Sequence, residues 1–78
     1  MTTLQREMKK RGVTIYAVLK EKGLNPQNSW GAYRDKVEGL SRMDMTLLRE
    51  ICEIVSRLSG DKLKIEDLRF DPEHVWMK

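Results

Sequence analysis

Glycine and proline punctuate this chain at intervals that leave room only for short helical units: Gly12, Gly23, the Asn25-Pro26 pair, Gly39 and Gly60. Between these marks the apolar residues recur every three or four positions, the helical period. Thr3 is placed to cap a first helix in which Leu4 and Met8 sit four apart, with a stop at Gly12. Thr14 is the natural cap of a second helix, whose Ile15, Val18 and Leu19 share one face and whose stop is Gly23. The β-branched content of Gly12 to Val18 suggests a strand, but a spacing of three and four rather than two predicts helix.

Asn25-Pro26 reads as a cap followed by a first helical residue, where the missing N–H of proline costs nothing. A third helix is therefore expected from Pro26 to about Asp35, followed by a basic turn from Arg34 to Gly39. Gly31 in its interior costs about 1 kcal/mol relative to alanine. Packing through Trp30 and Tyr33 is expected to hold it. Ser41 to Asp44 has the spacing of a capping box and opens the strongest helix, with Leu47, Leu48, Ile51, Cys52, Val55 and Leu58 on one stripe. Arg49, Glu50, Glu53 and Arg57 take the other side, Glu53 and Arg57 as an i, i+4 pair, and Ser59-Gly60 ends the run. Asp61 to Phe70 favours a short helix over a strand. The pattern is all-α: one domain of four or five helices over residues 1–70, with a tail, 71–78, whose Trp76 packs on its own domain or on a second copy.

Composition narrows the function. At 78 residues, 40% hydrophobic and 35% charged, the chain suits one small folded domain rather than a disordered tail. No apolar run approaches the roughly 20 residues of a spanning helix. The opening Met-Thr-Thr-Leu-Gln-Arg-Glu has no apolar signal region. Cys52 stands alone, so no internal disulfide forms and a reducing, cytoplasmic setting is expected. Its place in the apolar stripe marks it as a small buried hydrophobe, and Met8, Met43 and Met45 read as core fillers. One histidine, His74, and one cysteine are too few for a zinc site. No nucleophile–base pair, P-loop or dinucleotide glycine pattern occurs, so neither enzymatic activity, a cofactor nor a small-molecule substrate is expected. A membrane partner is not expected either, because Leu4 and Met8 make too narrow an apolar face beside Lys9, Lys10 and Arg11.

Charge points elsewhere. The net charge is +3, but residues 1–36 carry eight basic and three acidic side chains, whereas residues 37–78 carry seven and nine. Such asymmetry suits a polyanion on one side of the molecule. The second and third helices, joined by a short glycine turn, are predicted to present Gln27, Asn28 and Ser29 at the start of the third. Gln and Asn pair bidentately with adenine in the major groove. Lys9, Lys10, Arg11, Arg34 and Lys36 are candidates to neutralise the flanking phosphates. The plainer alternative is that Gln27 and Asn28 only solvate the first turn.

Thr14 opening the second helix, Gly23 in the turn, Asn25-Pro26-Gln27 opening the third, and Gly39-Leu40-Ser41 through Cys52 together resemble the phage repressor and Cro-type, lambda repressor-like helix-turn-helix regulators. The resemblance spans about residues 4–68. It implies a third helix in the major groove of double-stranded DNA, with Gln27 and Asn28 at base-contacting positions, Gly31 on the DNA-facing side, and Thr14 and Ile15 near phosphates. It also implies a homodimer on a two-fold operator, repressing transcription by occlusion. The chain carries Leu19 where the family has a small residue, and Ser29 and Ala32 where it has branched apolar ones. Either these volumes compensate, or the third helix is rotated so that Trp30 and Tyr33 become its core face. The alternative function is a protein-binding module or inhibitor on the same scaffold, using Trp30, Gly31, Tyr33, Val75 and Trp76 as its interface.

Overall fold

A side-chain oxygen starts each of the four α-helices. The computed structural model describes residues 2–68 and the backbone of residues 75–76. In chain order the elements are α1 (Thr3–Lys10), α2 (Ile15–Glu21), α3 (Pro26–Val37), β1 (Arg42–Met43), α4 (Met45–Ser59), a 3₁₀ turn (Ile65–Asp67) and β2 (Val75–Trp76). Thr2 accepts from the Gln5 N–H, Thr14 from Ala17, Asn25 from Gln27 and Asp44 from Thr46, at 3.0–3.1 Å. Each bond satisfies a donor that the helix itself leaves without a partner.

Two of the expected helix starts move. The cap of α1 is Thr2 rather than Thr3, in a full capping box that returns the Thr2 N–H to Gln5 Oε1 at 2.7 Å. The cap of α4 is Asp44 rather than Ser41. Arg42 and Met43 are extended instead, because this lets Met43 bury its side chain completely. There they pair in parallel with the backbone of residues 75–76, Arg42 opposite Val75 and Met43 opposite Trp76, within the same chain. The expected helix in 61–70 is a single 3₁₀ turn, with Arg69 and Phe70 outside the described residues. His74 also lies outside them, as do the side chains of Val75 and Trp76.

The core gathers around α4, which buries Leu48, Ile51, Cys52, Ile54 and Val55 against Leu4 and Met8 of α1, Val18 of α2, Val37 of α3, and Met43. Leu63 and Leu68 pack on the same helix from the segment beyond it. The buried arc of α4 also includes Ile54, beside Leu47 and outside the expected stripe. Leu58, expected in the stripe, is 42% exposed at the end of the helix. Arg57 reaches across to Glu21 of α2 at 3.3 Å.

Helix α3 runs to Val37, one turn's fraction beyond the expected Asp35, so Arg34 and Lys36 belong to its last turn rather than to a loop. There they complement the helix dipole. Val37 is its one fully buried residue. Trp30, expected as a core anchor, is 40% exposed, and Tyr33 is half-buried. What holds α3 is instead the buried Thr2 hydroxyl, which donates to the Val37 carbonyl at 2.7 Å, and close packing against α2.

The turn between α2 and α3 needs Gly23 at φ 76°, which lets the Leu24 N–H close back on the Leu19 carbonyl at 3.0 Å. A Cβ at Gly23 or at Gly31 meets nothing within 4 Å. Backbone conformation alone therefore decides the outcome, and with opposite signs. Gly23→Ala should destabilise by about 1–2 kcal/mol, the cost of a left-handed conformation with a side chain. Gly31→Ala, inside a helix, should stabilise by about 0.5–1 kcal/mol. Thr2→Val should cost about 1–3 kcal/mol by orphaning the Val37 carbonyl and the Gln5 N–H, while Thr2→Ser retains most of that. Urea unfolding followed by circular dichroism measures all four.

Candidate nucleic-acid interface

The first two turns of α3 form an exposed polar face. Gln27, Asn28, Gly31 and Ala32 are exposed, whereas Ser29 and Tyr33 turn half inward and Val37 fully. Helical periodicity puts Gln27, Asn28 and Gly31 on one side, opposite Pro26, Tyr33 and Val37. The backbone at this end is already satisfied: Pro26 has no N–H, Asn25 Oδ1 takes the Gln27 N–H at 3.0 Å, and the Asn25 carbonyl takes those of Asn28 and Ser29 at 3.1 Å. An anion held by free backbone amides is therefore not available here. Any recognition falls to the Gln27 and Asn28 side chains. Further along the same face the charge turns negative, with Asp35 half-buried and Glu38 exposed, so a polyanion is favoured only at the N-terminal half.

The expected phosphate-binding cations divide into free and engaged. Lys9 and Lys10 are exposed at the end of α1. Lys9 lines a shallow cleft of about 280 Å³ together with Thr14, Ile15 and Val37, so Lys9 and the start of α2 come together. Thr14 is exposed, its hydroxyl capping α2. Ten residues of α3 separate Val37 from Gln27, about 15 Å of helix axis.

Arg11 is not free. Its Nη1 donates to the Glu7 carboxylate, its Nε to the Asp61 carbonyl at 3.1 Å and its Nη2 to the Lys62 carbonyl at 3.1 Å, leaving the side chain 9% exposed. The guanidinium staples α1 to the segment after α4, which corrects its assignment as a phosphate contact. Lys36 is half-buried. Arg34 lies over the Trp30 ring, its guanidinium carbon 5.0 Å from the centroid, with Nη2 3.4 Å from Asp35 Oδ1. Trp30 thus serves as a surface shelf for a cation instead of a core anchor.

Two exposed residues of α2 were not singled out by sequence. Tyr16, 52% exposed, sits under the Lys20 ammonium at 5.5 Å on the outer side of α2. Their i, i+4 spacing on the polar side of that helix is the signal that marks them.

Lys22 closes the α2–α3 turn. It pairs with Glu50 of α4 and lies 5.8 Å from the centroid of the Tyr33 ring. The Glu50 carboxylate, chiefly, holds the ammonium above its ordinary range, against an opposing effect of burial. A raised value in the folded state means that the stabilisation is complete below the unfolded value of about 10.4 and fades as pH rises through the folded value. The difference in melting temperature between the native chain and Lys22→Met should stay constant from about pH 7 to 9 and shrink above about pH 10.4. A gap unchanged to the alkaline limit would remove the ion pair from this role. Comparison with protein-family models, with curated proteins and with solved structures finds no match to the chain.

Proposed function

We propose that this protein is a sequence-specific DNA-binding transcriptional regulator of the phage repressor or Cro type, cytoplasmic, homodimeric and without cofactor. In this reading α2 and α3 form the helix-turn-helix, and the N-terminal half of α3 enters the major groove. The observation that carries the reading is the outward face of α3: two amide side chains and a glycine, on a helix whose own end donors are already capped. The amides are free to pair with base edges, and Gly31 lets the helix approach closely. Lys9 and Lys10, exposed on α1, and Thr14, exposed at the start of α2 beside Lys9, suit backbone phosphates. Binding blocks polymerase, so affinity is the output.

Different side chains should respond differently to substitution. A site selected from a random duplex pool should be bound by Gln27→Ala with discrimination reduced by about 1–3 kcal/mol at one position. Lys9→Ala and Lys10→Ala should weaken binding to every sequence alike, each lowering the salt slope by about one. Arg34→Ala and Lys36→Ala should weaken all sequences too, while Arg11→Ala should lower the melting temperature. Fluorescence anisotropy at several salt concentrations separates these effects. Retention of full discrimination by Gln27→Ala counts against the proposal.

The exposure of Trp30 favours one second reading, a protein-binding module that keeps the scaffold without binding DNA. In that case affinity for random duplex is negligible at low and high salt alike.

A further inference from the structure

Away from α3, an open groove of about 950 Å³ runs along α4 and the segment that follows it. Its floor is the half-buried Ile65 with the edges of the buried Cys52 and Leu63, and its rim carries Arg49, Lys62 and Lys64 with Glu53 and Glu66. None of these three cations has a carboxylate partner among the described residues, unlike Arg57 at the groove's end, which pairs with Glu21. The far wall is held in place. Ser56 Oγ takes the Leu63 N–H at 2.8 Å and donates to the Cys52 carbonyl at 2.7 Å, while Arg11 grips the Asp61 and Lys62 carbonyls from outside. The groove is therefore preformed, and no residue of α3 lines it.

We infer that this groove is a docking site for an acidic amphipathic helix of a partner protein, occupied independently of DNA. Its α4 wall, from Arg49 to Gly60, spans about 16 Å, or three helical turns. An occupant of that length anchors apolar residues at i, i+3 and i+7 on the floor and sets carboxylates against the rim. The charge complementarity comes from Arg49, Lys62 and Lys64. A nucleic-acid backbone fits less well, because it has nothing to place on an apolar floor.

The test uses the full chain and a fluorescein-labelled stapled peptide of about three turns, with leucine at i, i+3 and i+7 and glutamate between. Anisotropy should report saturable binding, and a version with lysine for glutamate should bind at least about tenfold more weakly. Combined Arg49→Glu, Lys62→Glu and Lys64→Glu should reverse that preference, with an unchanged circular dichroism spectrum. Lys10→Glu and Gln27→Ala should leave it intact, which keeps this result separate from the DNA reading. Equal binding of the two peptides overturns the inference. So does a triple variant that retains the preference, or one that loses duplex affinity instead. A doubled solution mass abolished by the same substitutions also overturns it, by assigning the groove to a second copy.

Discussion

Helix α3 buries a single side chain, Val37, so its position depends on what grips it at its ends and along one flank. At its C-terminus the buried Thr2 hydroxyl satisfies the Val37 carbonyl, and the same hydroxyl starts α1. Near its start the Gly23 turn sets its direction, and Lys22 ties that turn to Glu50 and the Tyr33 ring. A helix fixed in this way need not present an apolar face to the core. Its outward side is left for polar groups, which is the condition for reading a duplex with side-chain amides.

Cations are sorted by the same architecture. Arg11, Lys22 and Arg57 join one element to another and hold their charge inside ion pairs. Lys9, Lys10 and Lys20 stay exposed on α1 and α2, and Arg49, Lys62 and Lys64 rim a groove on another side. A simple count of basic residues in the first half of the chain therefore overstates what is available to a polyanion. The outward face of α3 limits it further, since Asp35 and Glu38 follow the amides.

Much of the fold was legible because local chemistry decides it. Thr14, Gly23 and Asn25-Pro26 set three helix boundaries by hydrogen bonding and by φ, with no help from distant contacts. Met43 shows where that logic stops: a buried side chain pulls Ser41 to Asp44 out of the helix its capping pattern suggests, and pairing with the tail stabilises the extended form. The face of α3 was likewise beyond pattern reading. Trp30 looks like a core residue by size, but Thr2, thirty-five residues before Val37, does the holding, and no local rule points to that bond. Arg11 fails as a phosphate contact for the same reason, its partners at Asp61 and Lys62 being remote in sequence. Gln27 and Asn28 were singled out only as the first residues of that helix, and their exposure follows from a helix phase that puts them opposite Val37.

On the proposed function, the exposed amide face of α3 is the surface that meets DNA. Titrating the ¹⁵N-labelled chain with a selected duplex, and following both backbone and side-chain amide signals, tests it most directly. The side-chain NH₂ signals of Gln27 and Asn28 and the backbone amide of Gly31 should shift most, with Glu53 and Ser56 on α4 unmoved. Shifts confined to α4 and the 62–66 segment, or no shifts at any duplex concentration, would contradict the account.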